Sequence, residues 1–242
     1  MNIWILPMAG KGTRTQRLGK CKPAIVVAGK PILAWCLSGL AEGIRPGDNV
    51  ITITTKFFED NFQISQQFIK WSNFFNLNIE YTPVVIDNVL PGPAASVFSA
   101  GTHFNCPRNV IVVNSDQFIQ FSIPPSLSEG EAFIPLYVNN TGQSSYVEIE
   151  DGHIQHVVEK QLVSYYASAG VYGFGSGEVL YSILDQTLHR QPHYHGEYFI
   201  GPAMNLFINN GGRVFPTSVI AKYDLGNVDS IEIFEKFINR FI

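Results

Sequence analysis

The chain has 242 residues, 45% of them apolar and 15% charged, and a formal net charge of −4. That length suits one large or two small globular domains with ample core, and the negative balance argues against holding nucleic acid through bulk charge. No apolar run is long enough to span a membrane, no basic segment precedes the first apolar run as in a secretory signal, and Cys21, Cys36 and Cys106 are an odd, widely spaced set that fits reduced thiols in a cytoplasmic protein.

Residues 3–6, Ile-Trp-Ile-Leu, read as a first buried strand. It runs into Met8-Ala9-Gly10-Lys11-Gly12-Thr13-Arg14. Two glycines in three residues let the backbone turn sharply and approach a ligand, and successive amides in such a loop form a concave site for phosphate. Lys11, Arg14 and Lys22 place three cations around it; Arg forks two donors onto one phosphate, whereas Lys acts as a point charge. On these residues alone a tight turn with solvated cations is the alternative. Pro31 opens a helical pattern with Ile32, Trp35, Cys36 and Leu40 on its apolar face and Gly43 as its stop. After a turn at 46–49, residues 50–54 are β-branched throughout and read as a second buried strand. Residues 57–75 read as one helix carrying Phe58, Phe62, Phe68, Ile69 and Phe75, and 79–86 as a strand interrupted by Pro83.

Pro91-Gly92-Pro93 sets a rigid turn before a small-residue helix at 94–100. Small residues there leave room for a flat ring against the backbone, with an ordinary loop into a helix as the alternative. Residues 109–113 are the clearest buried strand and run into Asn114-Ser115-Asp116. In an open α/β sheet, ligands sit beyond the carboxyl ends of the strands. Asp116 therefore falls where a metal-binding carboxylate belongs, and a hard carboxylate with few protein partners suits Mg2+; capping the next element is the alternative role. Residues 132–138 read as a strand, 145–149 and 154–158 as a hairpin around Asp151-Gly152 whose second arm delivers Glu159-Lys160, and 165–174 as a strand containing Ser168-Ala169-Gly170. Helices at 177–189 and 199–208, a short strand at 213–215, the segment Tyr223-Asp224-Leu225-Gly226 and a last helix at 230–242 complete the chain. Alternating strands and helices followed by hairpins predict an α/β fold: a Rossmann-like mixed, mostly parallel sheet flanked by helices, with an inserted β-hairpin region. His189, His193 and His195 do not share one helix face and Pro192 interrupts them, so a solvated loop accounts for them better than a metal cluster.

Together these segments resemble a known family. Ala9-Gly10-x-Gly12-Thr13-Arg14, Lys22-Pro23 and Gly29-Lys30-Pro31-Ile32 are similar to the N-terminal signature of the nucleotidyltransferases that make nucleotide sugars, whose relatives activate phosphocholine and similar phosphates. Gly92-Pro93-Ala94 resembles their small-residue turn for the base, Ser115-Asp116 their metal-binding strand end, and Glu159-Lys160 their sugar-phosphate pair. Ala169-Gly170-Val171-Tyr172 resembles the segment that contacts the sugar, Glu197-Tyr198 the pair near the acceptor pocket, and Asp224-x-Gly226 the second metal aspartate. The resemblance implies a single GT-A-like nucleotidyltransferase domain over 1–242, with a nucleotide-binding half at about 1–120 and an acceptor-binding half at about 121–242. It implies attack of a sugar 1-phosphate oxygen on the α-phosphorus of an NTP, with loss of pyrophosphate, to make a nucleotide sugar for cell-surface polysaccharide synthesis. The implied cofactor is Mg2+, and neither nucleic acid nor membrane is a partner. On this likeness Arg14 and Lys22 are catalytic, and Ala9, Gly10, Lys11, Gly12, Thr13, Gly92 and Ser115 bind the nucleotide. Glu159, Lys160, Gly170 and Glu197 bind the acceptor, and Asp116 and Asp224 bind the metal.

The departures matter. Ser168 stands where the family has Asn, and Ser115 where many relatives have Gly. Lys20 competes with Lys22 for the catalytic position, Pro23 favouring Lys22. A cytidylyltransferase for a non-sugar phosphate such as phosphocholine is the close alternative, with Tyr165, Tyr166 and Tyr172 as candidates to box a quaternary ammonium. A glycosyltransferase of similar fold would carry an Asp-x-Asp metal site, whereas the residue two after Asp116 is Phe118. A nucleotide sensor without catalysis would be expected to lose Lys22 or Asp116.

Overall fold

A computed structural model of the chain describes residues 1–190 and 194–240; Pro192, His193 and the end of the expected last helix lie outside them. The first elements are β1 (Ile3–Pro7), single 3-10 turns at Thr13–Thr15 and Lys22–Ala24, β2 (Val26–Val27), β3 (Lys30–Pro31) and α1 (Ile32–Leu40). Then come β4 (Asn49–Thr55), α2 (Lys56–Phe62), α3 (Ile64–Phe74), β5 (Glu80–Ile86), α4 (Pro93–Ser99), β6 (Val110–Val113) and β7 (Gln117–Phe121). The rest is β8 (Glu131–Val138), β9 (Ser145–Glu150), β10 (His153–Glu159), β11 (Tyr166–Ser168), β12 (Val171–Phe174), α5 (Gly177–Leu188), α6 (Ile200–Asn209), β13 (Arg213–Asp224) and α7 (Val228–Ile238).

Eleven strands form one sheet in the order β5-β4-β1-β6-β12-β8-β11-β9-β10-β13-β7. Its first four strands run parallel. From β12 onward the pairing is antiparallel, except where β13 lies parallel to β8 over residues 213–218. The expectation of a mostly parallel sheet is thus corrected: it holds up to residue 113, and antiparallel ladders dominate overall. The reason is connection length. Parallel neighbours need a crossover, which α1, α2, α3 and α4 supply, whereas the hairpin joining β9 to β10 can only set its arms antiparallel. Nor is that hairpin an insertion beside the sheet, because β9 and β10 are strands of it. Asp151 and Gly152, at φ 50° and 76°, supply the two left-handed residues a type I′ turn requires.

The two faces of β1 and β6 explain why both read as uninterrupted apolar runs. Ile3, Ile5, Val110 and Val112 meet Val97, Leu180, Leu184 and Met204 of α4, α5 and α6. Trp4, Leu6, Ile111 and Val113 meet Leu33, Cys36, Leu37 and Phe68 of α1 and α3. Because the strands are parallel, their carboxyl ends release the glycine-rich loop and the Asn114-Ser115-Asp116 segment at one edge of the sheet. The other end of β1 is fastened by Asp48, which is fully buried. Its carboxylate accepts from the Trp4 indole Nε1 at 2.9 Å and from the backbone N–H groups of Asn2 and Arg45 at 2.7 and 3.1 Å. Asp48→Ala leaves those donors without an acceptor. The expected cost is about 3 kcal/mol, a fall in Tm of roughly 6–12 °C; a loss under about 1 kcal/mol in a thermal melt would contradict this account.

Four elements differ from the sequence reading. The helix expected over 57–75 breaks at Gln63, which is left-handed (φ 50°), where the Glu59 carboxylate accepts from the Ser65 N–H at 3.2 Å and caps the start of α3. The strand expected over 165–174 splits into β11 and β12 around Gly170, at φ 73°. The short strand expected at 213–215 runs on to Asp224, because β13 passes from β8, its partner over 213–218, to β7, its partner from Val219 onward, with an irregularity in the β7 ladder between Val219 and Ala221. The strand β7, for which the sequence reading has no element, starts directly after Asp116.

Candidate active site

Beyond β1 the chain turns at Gly12, which is left-handed (φ 61°); the Thr15 N–H and hydroxyl both donate to its carbonyl, at 2.9 and 3.0 Å. Ala9 is buried, while Gly10, Lys11, Thr13 and Arg14 are exposed. Among the described residues the N–H groups of Gly10 and Lys11 have no acceptor in the protein, so they remain available to an anion. The chain returns at Lys22, first residue of a 3-10 turn stiffened by Pro23. Lys22 Nζ lies 2.9 Å from Asp116 Oδ2. Of the two candidate lysines Lys22 is the one brought to Asp116, since Lys20 is exposed and forms no ion pair among the described residues. Cys21 beside it is buried, its thiol pushed up to about 12 by that burial, which makes it a poor nucleophile.

Asp116 and Asp224 meet through β7. Its ladder with β13 sets Gln117 opposite Asp224, and the Leu225 N–H donates to the Asp116 carbonyl at 2.8 Å. Asp224 is held by donors from the Gly226 N–H, Asn227 Nδ2 and the Ser230 hydroxyl, at 3.1 to 3.2 Å. Gly226 sits where these groups face one another. A Cβ there would lie 2.8 Å from Asp116 Oδ2, 3.0 Å from Asp224 Oδ1 and 3.5 Å from an Arg14 guanidinium nitrogen. Only glycine leaves that cradle open. Two carboxylates on one cradle are a hard-oxygen donor set, fitting a divalent cation such as Mg2+ that draws further ligands from phosphate and water. No cluster of three or more His, Cys, Asp or Glu able to hold a metal is found among the described residues.

The electrostatics keep Asp116 charged. Burial pushes its pKa up, but Lys22, by charge and by hydrogen bond, and then Arg14 and Lys222 outweigh that, and the net direction is down. Ser115 has a different engagement: its hydroxyl donates to the Pro7 carbonyl at 2.8 Å, tying together the ends of β1 and β6.

Beside the loop lies a cleft of about 440 Å3, lined by Ala9, Gly10, Lys11, Pro91-Gly92-Pro93, Ser96, His195 and Glu197 among others. One wall is a backbone contact. A Cβ on Gly92 (φ 97°) would lie 2.4 Å from the Tyr198 carbonyl oxygen, which accepts from the Ala94 N–H at 3.1 Å, while the Tyr198 N–H donates to the Pro91 carbonyl at 3.0 Å. The glycine is therefore required first by the Tyr198 backbone. Glu197 faces both ways: it lines this cleft, and its charge acts on Glu159. Of the three histidines, His195 lines the cleft and His189 lies against the Asp185 carbonyl at 2.8 Å.

On the other side of the edge, β10 ends at Glu159. Its carboxylate accepts a short hydrogen bond from the Ser145 hydroxyl. Burial raises its pKa; Ser145 and Lys160, whose Nζ is 4.0 Å away, pull it back, and Glu197 adds to the rise, leaving it above the usual carboxylate range. Tyr172, buried between Glu159, Ser168 and Ser145, has its phenol pushed up to about 12, by burial first, and so remains a donor. Lys160 is left-handed (φ 52°), its ammonium 4.4 Å from the Tyr194 ring centre and 5.1 Å from that of Phe199. Gly170 meets the other strand end, its carbonyl accepting from the Asn114 N–H at 2.8 Å. Tyr165 and Tyr166 are exposed and Tyr172 is buried, so those three rings form no box around a cation.

The raised pKa of Glu159 has a stability consequence. An acid whose folded pKa exceeds its unfolded value binds more protons when folded, so stability falls as pH rises through that window. Glu159→Gln should therefore raise Tm more at pH 7.5 than at pH 4. An equal Tm change at both pH values would show that the buried carboxylate is not under this strain.

Lys222, Tyr194 and Phe199 escaped the sequence reading, and Asn114 and His195 appear there without a site role. For Lys222 a signal existed. It lies two residues before Asp224, hence on the same face of a strand, but the sequence pattern predicts that strand only over 213–215.

No protein-family model matches the chain, and no curated protein sequence matches it. Its similarity is structural. It is similar to a nucleoside-diphosphate-sugar pyrophosphorylase from Vibrio cholerae, with a TM-score of 0.83 and 17% identity over 96% of this chain and 99% of that one. It is similar to a UDP-glucose pyrophosphorylase solved with UDP-glucose (TM-score 0.77, 16% identity, 100% of each chain). It is also similar to an inositol-1-phosphate CTP transferase from T. maritima (TM-score 0.71, 13% identity, 99% of this chain and 96% of that one). Over its whole length, the chain has the fold of the nucleotidyltransferases.

Proposed function

We propose that the chain transfers a nucleotidyl group from an NTP to the phosphate of a small organic acceptor, releasing pyrophosphate, and that the acceptor is a sugar 1-phosphate made into a nucleotide sugar for polysaccharide synthesis. One observation carries the reading. Lys22, Arg14, Asp116 and Asp224 converge around Gly226 at the sheet edge where a loop with free amides also ends. Two polyanions must meet there, and bare repulsion at about 4 Å is near 4 kcal/mol per unit-charge pair at an effective dielectric of about 20. Little covalent help is required beyond alignment and charge neutralisation.

The residues divide that work. The loop amides and Lys11 hold the triphosphate, with the base in the cleft beside Gly92. Arg14 holds the pyrophosphate that leaves. Lys22 lies between the attacking phosphate and the α-phosphate and neutralises charge that builds on both. Lys160 holds the acceptor phosphate, and Glu159 accepts from an acceptor hydroxyl. Asp116 and Asp224 would hold Mg2+, which when bound supplies further positive charge to the phosphate oxygens. The sugar reading is favoured over a quaternary ammonium acceptor by two observations. The candidate tyrosines form no box, and the cation seat on Tyr194 and Phe199 already holds Lys160. The test is pyrophosphate release across four NTPs and a panel of sugar 1-phosphates, inositol 1-phosphate and phosphocholine. Release with one sugar 1-phosphate well above the others is expected; release with phosphocholine alone overturns the sugar reading, and release from no pair overturns the transferase.

A further inference from the structure

Lys222 is, among the described residues, a half-buried cation at this edge to which the reading above gives no work. It lies on β13, two residues before Asp224 and opposite Ile119 of β7. It is half-buried, and among the described residues it has no carboxylate within 4.0 Å and no hydrogen-bond acceptor. Its ammonium stands 5.0 Å from the centre of the Tyr137 ring. Its charge reaches Asp116, but the contact with that carboxylate, at 2.9 Å, belongs to Lys22. An ammonium is compact and strongly hydrated. Beside it in the protein stands only a ring face, a contact that contributes modestly, while the ammonium keeps contact with solvent and so can be reached by an anion from that side.

Tyr137 connects this lysine to the acceptor side. Its hydroxyl lies 3.0 Å from the Ser144 hydroxyl and accepts from Asn139 Nδ2 at 3.1 Å. The Ser144 carbonyl accepts from the N–H of Lys160 at 2.9 Å. The reacting phosphates already have Arg14, Lys22 and Lys160. We infer that Lys222 is a specificity-determining residue whose counter-charge arrives with the substrate: the acceptor carries a second anionic group, a carboxylate or a second phosphate, besides the phosphate that reacts. This rests on the transferase reading and narrows its substrate class to doubly anionic phosphates.

The test compares glucose 1-phosphate, glucuronic acid 1-phosphate and glucose 1,6-bisphosphate, which differ at the far end of one sugar. Each is offered to the full chain, to Lys222→Met and to Lys222→Arg, with NTP and Mg2+. Turnover is measured as kcat/KM, and binding of each compound separately by calorimetry. One charged hydrogen bond corresponds to roughly 10–100-fold. Wild type should therefore favour at least one doubly anionic compound by about tenfold or more over glucose 1-phosphate; which one it is tells carboxylate from phosphate. In Lys222→Met that preference should collapse toward unity, and Lys222→Arg should retain most of it. A wild-type preference near unity overturns the inference. So does an equal loss on all three compounds in Lys222→Met, which would place the lysine on the reacting phosphates. Tighter binding of a doubly anionic compound, lost in Lys222→Met but with no turnover of any, would keep the inference and sink the transferase. Neither turnover nor preference sinks both.

Discussion

Lys22→Ala should lower kcat by about 10²–10³-fold, the usual loss when one donor to developing charge is removed, while the protein remains folded. The size of the effect follows from where the lysine sits. Its ammonium is 2.9 Å from Asp116, and the two side chains are 17% and 25% exposed. It is thus dry enough to act strongly on phosphate and open enough to reach it. The fold should survive because the turn is built by Pro23 and by backbone bonds, the Ala24 and Ile25 N–H groups donating to the Cys21 and Lys22 carbonyls at 3.0 and 3.1 Å. Lys20→Ala is the matched control: exposed and without an ion pair among the described residues, it should turn over within a few-fold of wild type. Single-turnover rates at saturating substrates, alongside a thermal melt, decide the point. Near-normal chemistry in Lys22→Ala removes that residue from the mechanism, and a large loss in Lys20→Ala moves the role there.

Asp116→Asn should raise the Mg2+ concentration needed for half-maximal rate by tenfold or more and lower the plateau by about 10²-fold, as expected when a charged ligand to a metal that neutralises phosphate is replaced by a neutral one. The pH dependence has a defined sign. Lys22, Arg14 and Lys222 hold the Asp116 pKa below its ordinary value despite its burial. The carboxylate is then ionised throughout the neutral range, and wild-type activity should not fall on its account until the pH drops below the usual carboxylate value. The same depression means that Asp116 stabilises the fold above its unfolded pKa, and that this contribution is lost as pH falls through the folded one. Asp116→Asn should therefore cost Tm at pH 7 and little at the acid extreme. A metal titration unchanged by the substitution would remove Asp116 as a ligand.

These expectations rest on groups that the sequence exposed to very different degrees. The parallel half was legible because β1, β4 and β6 are buried on both faces and so appear as unbroken runs such as Val110–Val113. The Asp151-Gly152 hairpin was legible because two left-handed residues in a row leave few residue choices. Beyond residue 113 the local signal weakened. Pro216 sits inside β13 opposite Ile134, and proline ordinarily argues against a central strand. β7 begins immediately after Asp116, in a segment to which the sequence assigns no element, and its pairing with β13 is what carries Asp224 to Asp116. The polar side chains of the site could be singled out by type, but not their engagements. Ser115 has its hydroxyl on the Pro7 carbonyl, and Gly92 answers to the Tyr198 backbone. Both are contacts between distant segments, which one-dimensional spacing does not encode. Lys222 was lost for the same reason as the end of its strand.

The central claim is that the α-phosphorus of the NTP is the reacting atom, and the fate of two labels tests it most directly. The protein, Mg2+ and an accepted phosphate are incubated with NTP labelled either at the α- or at the γ-phosphate. The account predicts the α label on the acceptor as a nucleoside diphosphate conjugate and the γ label in pyrophosphate, with both transfers reduced about 10²–10³-fold in Lys22→Ala. The γ label on the acceptor, or in inorganic phosphate with the α label left in nucleoside diphosphate, would contradict it.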